Sequence, residues 1–572
     1  MQSHHQQNRS TTTTRTRLSF FFLRSRFIPS FSSPLSFFFV LAAVPLPIYF
    51  SGLLSRINKP ASLMRLNSNL ASSMVESNIS CTTFNILAPI YKRVDQQNQS
   101  IRESDFHELW LARNQRILDL LLHKRSSVIC LQEVWVGNEE LVNMYHDQLA
   151  TSGYTIFQLA RTNGRGDVNS VGWFKSIHFH VLENGRLGGD EKGKFIIFLV
   201  SEIYELKSKD NAIYRSGLLY LIAWRSKIGF FAFDVSFVDL NIFLTGLLTA
   251  IHKDHFKVVN YRELLFNDFG DRVAQLLHVK SVVPFPLNGK QDIQQEVIIV
   301  NTHLLFPHDS SLSVVRLHQV YKILEYLEAY QKEYKLNHMP IILCGDWNGS
   351  KRGHVYKFLR SQGFISSYDD AHQYTDSDAH RWVSHRNHRG NICGVDFIWL
   401  CNPSDSRKPL RTSWVEAVFS IIKYQLHKAS IAEGDAFAFL GANNHSDSLT
   451  YSDFCQALQK VNLTGIPHGL SFEETKELWV RADLDGNGVF DYEELKKIWN
   501  TTMVNKPGNC RESTMESKKE EGEEEEEAIG LRVKKAVLFP QEAEKGLWPE
   551  NYNISDHACL TVQFSPVKML CS

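Results

Sequence analysis

Ile341-Ile342-Leu343-Cys344-Gly345-Asp346-Trp347-Asn348 decides the fold: four apolar residues, a glycine, then two oxygen-bearing side chains two positions apart. A short uninterrupted apolar run reads as a strand buried on both faces. Asp346 and Asn348, beyond its end, project to the same side. Five further segments share the character: Thr83-Phe84-Asn85, Leu131-Gln132-Glu133-Val134, Asn301-Thr302-His303-Leu304, Val395-Asp396-Phe397 and Ser555-Asp556-His557. Most follow an apolar, β-branched stretch, so each polar group is expected where a buried strand ends. Strand-like segments (Ser80–Phe84, Val128–Leu131, Val297–Val300, Phe397–Leu400, Cys559–Phe564) alternate with helical patterns at Trp110–His123 and Val314–Tyr330. That alternation predicts an α/β core.

The chain has 572 residues, room for more than one domain, with ordinary apolar and charged fractions. Its 62 Lys and Arg balance 62 Asp and Glu, so no bulk electrostatic attraction to nucleic acid exists and any basic groove is local. Nine cysteines form no CxxC pair, and Cys130 and Cys344 sit inside apolar strands. This pattern predicts reduced core thiols in an intracellular, cytoplasmic protein rather than a disulfide framework.

Residues 1–75 contain no Asp or Glu but carry seven Arg and many Ser and Thr. Three readings stand side by side. The composition suits an organelle-targeting transit peptide. The apolar run at residues 35–54 has the roughly 20 residues needed for a membrane anchor, although Pro45 and Pro47 interrupt it. A translated leader upstream of Met64 or Met74 is the third. A charged tract, Lys518–Glu527, with five consecutive Glu, predicts a solvated acidic linker over 505–530.

Hydrolysis of a phosphate ester needs a hard cation, an activated water and donors that stabilise charge developing at phosphorus. Glu133 is the candidate magnesium ligand, with the Asn85 amide nearby and Asp556 adding to the metal shell. Asp346 can orient or deprotonate water, Asn348 can donate to a phosphate oxygen, and His303 to the equatorial oxygens. His557 can act as base or donor, with Asp396 as the carboxylate that fixes its tautomer. Each motif alone has a plain structural explanation as a capping turn, a tight turn or a chance pair. The ordered set carries the inference.

That set resembles the endonuclease/exonuclease/phosphatase superfamily, and Thr83-Phe84-Asn85-Ile86-Leu87-Ala88-Pro89 with Asn301-Thr302-His303-Leu304-Leu305-Phe306 is most similar to its deadenylase, nocturnin and Angel branch. The resemblance covers residues 80–167, 246–401 and 532–566. It implies a four-layer α/β sandwich, two packed β-sheets flanked by helices. It implies Asn85 and Glu133 at magnesium or manganese, His303 at the phosphate, Asp346 and Asn348 at the nucleophile, and Asp396 paired with His557. The loop holding Arg165 is placed beside the substrate groove. The expected activity is a phosphodiesterase, a deadenylase-like 3′-exoribonuclease acting on RNA or a nucleotide-type phosphodiester. The competing classes are a phosphatase or phosphodiesterase on a small nucleotide or lipid headgroup, and a calcium-responsive binding protein. Residues 168–245 depart from the pattern: rich in Phe and Ile without tidy turns, they are read as an in-frame retained intron or a family-specific insertion.

Between Asp396 and His557 lies a second module, over 436–500 of a divergent stretch 402–531. Asp483-Leu484-Asp485-Gly486-Asn487-Gly488-Val489-Phe490-Asp491-Tyr492-Glu493-Glu494 matches an EF-hand loop at every position. Asp483, Asp485 and Asn487 offer oxygens at positions 1, 3 and 5, Val489 its carbonyl at 7, Asp491 position 9 and Glu494 the bidentate 12, all toward Ca2+. Ala442–Asp453, with Leu449 at its eighth position, reads as a degenerate partner without calcium, or else 436–462 is a helical linker.

Overall fold

The computed structural model describes residues 78–95, 100–162, 195–207, 212–225, 231–239, 244–282, 295–306, 312–336, 339–403, 407–431, 433–440, 448–465, 469–500 and 526–571. The N-terminal segment with its apolar run, Arg165, and most of the predicted acidic linker lie outside them. Among the described residues no helix is long and apolar enough to cross a membrane.

The chain begins with β1 (Ile79–Asn85), α1 (His107–Lys124), β2 (Val128–Val134), α2 (Glu139–Thr151) and β3 (Tyr154–Ala160). It continues through β4 (Phe195–Lys207), β5 (Ala212–Arg225), β6 (Phe231–Asp239), β7 (Gly246–His252), β8 (Phe256–Leu265), β9 (Val273–Ser281) and β10 (Glu296–His303). After α3 (Leu312–Tyr334) come β11 (Ile341–Asp346), α4 (His354–Ser361), β12 (Ile365–Ser366), α5 (Ser367–Ala371), β13 (His385–Arg386), β14 (Ile392–Cys393) and β15 (Asp396–Cys401). The last stretch holds α6 (Leu410–Lys428), α7 (Glu433–Leu440), β16 (Ser448–Leu449), α8 (Tyr451–Lys460), α9 (Phe472–Ala482), β17 (Phe490–Asp491), α10 (Tyr492–Asn500), β18 (Glu526–Phe539) and β19 (Cys559–Cys571).

Two six-stranded mixed sheets form, in the orders β18-β19-β1-β2-β7-β3 and β12-β15-β11-β10-β9-β8. Their facing sides bury Cys81, Val128, Cys130 and Ile251 against Leu277, Ile299, Ile342 and Cys344. Runs such as Val128–Leu131 are buried at every position because the other side of each sheet is covered by helix. Trp110, Ile117, Leu118 and Leu121 of α1 pack on Ile129, Leu131 and Leu248, while α3, α4 and α6 pack together over the second sheet. The result is the expected helix–sheet–sheet–helix sandwich. Polar ties cross the core: Gln132 Nε2 donates to Asn301 Oδ1 at 2.8 Å, and Thr249 Oγ1 to Gln275 Oε1 at 2.7 Å. Buried groups of this kind must be paired, and here the pairs also fix one sheet against the other.

The structure corrects several boundaries. α6 belongs to the outer helix layer rather than to a separate module: Trp414, Val418 and Ile421 are buried in the main core. β18 begins at Glu526, inside the predicted linker, because the long partner β19 offers a hydrogen-bonding edge down to Cys571; ladder pairing overrides the poor strand preference of Glu. Within 168–245, β4, β5 and β6 make a separate three-stranded antiparallel sheet. The chain leaves and returns at adjacent points, since β3 and β7 pair as far as Ala160↔Gly246. Gly246 is required there, as a Cβ would meet the Leu159 carbonyl oxygen at 2.2 Å.

Candidate functional site

The polar motifs meet at one edge of the sandwich because strand direction compensates for sequence position. β1 runs parallel to β2, and β10 parallel to β11, so Asn85, Glu133, His303 and Asp346 all close their strands on that side. β15 and β19 run the other way, so Asp396 opens its strand, opposite Asp346, and His557 lies just before β19. The expectation that every polar group ends a strand therefore fails for Asp396 and His557, which stand at strand starts. Gly345 lets β11 approach β10: with φ 150, a Cβ there would meet the Thr302 carbonyl oxygen at 2.0 Å.

Asp346 is the hub. Asn85 Nδ2 donates to its Oδ2 at 3.1 Å, and the Asn348 backbone N–H to its Oδ1 at 3.0 Å. His303 Nε2 and His557 Nε2 stand 3.3 Å and 3.8 Å from Oδ2. Asn348, at φ 46, turns its amide onto the Leu304 carbonyl at 2.9 Å. Burial raises the Asp346 carboxyl above its ordinary value, opposed by His557 and reinforced by Asp396. His557 Nδ1 lies 2.9 Å from Asp396 Oδ2, which fixes the ring and leaves Nε2 toward Asp346. Burial alone would depress the imidazole, but Asp396, Asp346 and Asp556 together hold it well above its ordinary value. The surrounding carboxylates thus favour its protonated form.

Arg161 Nη2 approaches His303 Nδ1 at 3.1 Å. A guanidinium only donates, so Nδ1 accepts and the His303 proton sits on Nε2, facing Asp346. Burial, Arg272 and Arg161 hold His303 well below its ordinary value, so the ring is neutral. The two histidines are thus pushed in opposite directions, His303 down by burial and two arginines and His557 up by three carboxylates.

Glu133 breaks the register of β2 between Gln132 and Val134 and adopts φ 57. Its Oε2 is buried without a hydrogen-bond partner. Burial raises its carboxyl, against the opposing pull of Arg161. A buried carboxylate oxygen with no donor, held in a left-handed backbone conformation, fits a divalent cation. Asn85 gives its Oδ1 to the Leu87 N–H at 3.1 Å and its Nδ2 to Asp346, so its amide faces the hub. Asp556 is partly exposed, 3.9 Å from His557 Nε2 and 3.8 Å from His385 Nε2. Asp346, Asp396 and His557 form one set of ligand-type atoms within 4.8 Å, and His385, Asp556 and His557 another.

Sequence reading missed the groups that hold this arrangement. His385 stacks on His557 with centroids 4.3 Å apart. Ser384 Oγ accepts from the Val395 and Asp396 N–H groups at 2.9 and 3.0 Å. Buried Arg113, paired with Glu103, donates to the carbonyls of Ile86, Leu87 and Ile554. It therefore fastens the turn after β1 to the segment before β19. Ser555 Oγ closes the same junction on the Asn85 carbonyl at 2.7 Å. Arg113 lies in an amphipathic helix where an arginine ordinarily faces solvent, and no local pattern reveals its distant carbonyls.

Away from this edge, α7–α8 and α9–α10 form two helix–loop–helix units joined by the short antiparallel pair β16 and β17, with Leu449 opposite Phe490. In the second loop, Gly488 N–H donates to Asp483 Oδ2 at 2.9 Å and Asp491 N–H to Glu494 Oε2 at 3.0 Å. Gly486 and Gly488 have φ 72 and 83. Carboxylate oxygens of Asp483, Asp485 and Glu494 come within 4.8 Å of one another. The Asn487 side chain accepts from Val489 N–H at 2.9 Å, and Asp491 Oδ1 from Glu494 N–H at 2.8 Å. The beginning of the partner loop lies outside the described residues.

Comparison with known proteins identifies the family. Residues 82–430 match the model of the Endonuclease/Exonuclease/phosphatase family. The match ends where α6 gives way to the helix–loop–helix units, leaving His557 beyond it. An Arabidopsis thaliana protein called an uncharacterized calcium-binding protein is 78% identical over 573 residues, covering 100% of both chains. Carbon catabolite repressor protein 4 homolog 6 of Arabidopsis thaliana is 24% identical over 204 residues, 32% of this chain and 25% of that protein. The human Nocturnin catalytic domain with bound sulfate is 17% identical, covering 57% of this chain and 83% of that one, with a TM-score of 0.33. With its family model matched over most of the chain, its two facing sheets and its polar edge, this protein belongs to the endonuclease/exonuclease/phosphatase family of phosphoester hydrolases.

Proposed function

We propose that the chain is a magnesium- or manganese-dependent phosphodiesterase of deadenylase-like type, cleaving RNA from its 3′ end, and that the loop 483–494 is an EF-hand holding calcium. The observation that carries the first part is the convergence of Asn85, Glu133, His303, Asp346, Asn348, Asp396 and His557 on one edge, with Glu133 Oε2 buried and unpartnered. Glu133, with Asn85 and Asp556 around it, would hold the cation, which supplies charge neutralisation at the phosphoryl group and a more acidic bound water. Asp346 orients the attacking water and takes its proton, and burial that raises its carboxyl makes it the better base. The cationic His557, held by Asp396, faces the charge that develops at phosphorus. Asn348 and the Nε2–H of His303 add neutral donors.

The RNA assignment draws on the Thr83–Pro89 and Asn301–Phe306 motifs. The calcium assignment draws on the complete twelve-position loop and on the name of the 78% identical relative. The test is hydrolysis by purified protein of poly(A) RNA, phosphorylated dinucleotides and sphingomyelin, each beside Glu133→Ala. The proposal expects divalent-dependent shortening of poly(A), abolished in the variant. Turnover of another member of the panel, with RNA untouched, reassigns the substrate.

A further inference from the structure

Arg272 stands at the start of β9, 7% exposed, with Nε and Nη1 both buried and without a hydrogen-bond partner. Its one ion-pair neighbour among the described residues is Asp271, whose partly exposed Oδ1 lies 3.5 Å from Nε. A buried guanidinium ordinarily has all its donors paired, because it cannot shed its charge. Three groups of the catalytic edge, Glu133, Asp346 and His303, lie within its electrostatic reach. Arg161, the other cation of this corner, is committed to His303 Nδ1 and, at 3.4 Å, to the Tyr91 hydroxyl. The two arginines are tied through the backbone: Thr162 N–H donates to the Asp271 carbonyl at 3.1 Å, and Arg161 N–H to the Thr245 carbonyl at 2.9 Å.

We propose that Arg272, flanked by Arg161, is the anion-binding element of this site, taking the non-bridging oxygens of the substrate's phosphoryl group on its unpaired N–H groups. The ligand class is a phosphate ester, and the assignment deepens the phosphodiesterase reading on which it rests. An arginine placed so presents several donors to several oxygens of one tetrahedral group, which a lysine cannot reproduce. In the free enzyme its Nε and Nη1 hydrogens lack acceptors; substrate binding supplies them.

The experiment compares wild type with Arg272→Met and Arg272→Lys, reading kcat and KM on the hydrolysed substrate, inhibition by inorganic phosphate, and thermal stability. The inference expects R272M to lose about 100-fold or more in kcat/KM, the cost of removing one charge-stabilising donor. R272K should recover little of it. Phosphate inhibition should weaken about tenfold, in line with a lost charge-assisted hydrogen bond. Tm should hold or rise, since Nε and Nη1 make no hydrogen bond for the replacement to remove and Met relieves the desolvation cost of a buried charge. Activity within about threefold of wild type in R272M, or full rescue by R272K, overturns the assignment. So does a fall in Tm with unchanged kinetics in the folded fraction, which marks a structural arginine. If wild type hydrolyses no phosphate ester with any divalent ion, the phosphodiesterase reading fails instead. Calorimetry with inorganic phosphate then decides the arginine separately: weaker binding by R272M supports it, and equal binding overturns it.

Discussion

At the scale of single residues, the edge is organised by what each ionisable group is denied. Asp346 and Glu133 are denied water, which raises their carboxyls; burial and two neighbouring arginines lower His303; Asp396 and the other nearby carboxylates raise His557. Replacing Asp396 by Asn keeps the volume and removes the charge that both orients His557 and holds its proton. The account expects Asp396→Asn to fold normally and to lose about 10²–10⁴-fold in kcat, the range for a misplaced proton-handling group. Steady-state kinetics beside a circular-dichroism melt measure both; wild-type turnover in a folded variant contradicts the role given to the pair. The chemistry-bearing residues were legible because each sits next to an apolar run that must be a strand. Arg272, His385 and Arg113 were not, since an isolated basic residue says nothing about partners that fold back from far along the chain.

At the scale of elements, the sandwich was legible wherever burial on both faces leaves an unbroken apolar run, as in Val128–Leu131 and Ile341–Cys344. It was obscure where pairing rather than composition makes the strand. β18 opens in glutamates and becomes a strand because β19 is there to receive it. α6 has a readable apolar stripe at Trp414, Val418 and Ile421, but a stripe does not say which layer it covers. The segment 168–245 also belongs to this scale. β3 and β7 pair as far as Ala160 and Gly246, and Arg161 N–H donates to the Thr245 carbonyl just beyond, so the chain on either side of the insertion is already held together. Deleting 168–245 is expected to leave a folded protein with its melting temperature essentially unchanged and a higher turnover. Insoluble protein, or a turnover equal to that of the full chain, counts against this. Sequencing the transcript tests the retained-intron reading directly; if no shorter message exists, the insertion is genuine coding sequence.

At the scale of the whole molecule, the helix–loop–helix units are anchored to the hydrolase core rather than merely tethered. His318 of α3 meets Glu474 of α9 at 2.8 Å, and Arg411 of α6, lying over the Trp414 ring, pairs with Glu477. His318 also stacks on Phe269 at 4.3 Å, and its neighbour Gln319 accepts from Leu305 N–H at 3.0 Å, just beyond His303. One turn of α3 thus touches both α9 and the segment that follows His303. A calcium titration at fixed magnesium is therefore expected to change turnover; a flat response removes the coupling. The anchor carries a pH signature. Burial would raise Glu474, but the His318 contact and the Ser471 cap outweigh it and hold the carboxyl below its ordinary value. A depressed carboxyl contributes stability that is present above its unfolded pKa and lost as pH falls through the folded one. Glu474→Gln is expected to cost about 1–3 kcal/mol near neutrality. It should also flatten the acid limb of stability between about pH 3 and 5. Denaturant melts of the two proteins across that range provide the check, and identical acid limbs contradict it.

The central claim is that distant segments build one divalent-ion site at which a phosphate ester is hydrolysed. Its most direct test is a manganese titration of hydrolysis in wild type and Glu133→Gln, with metal binding followed in the same samples. The account predicts saturable, metal-dependent turnover in wild type. In E133Q, metal affinity falls about 10- to 100-fold, as when a metal site loses a supporting group, and turnover falls with it. Equal metal affinity and equal turnover in the two proteins would contradict it.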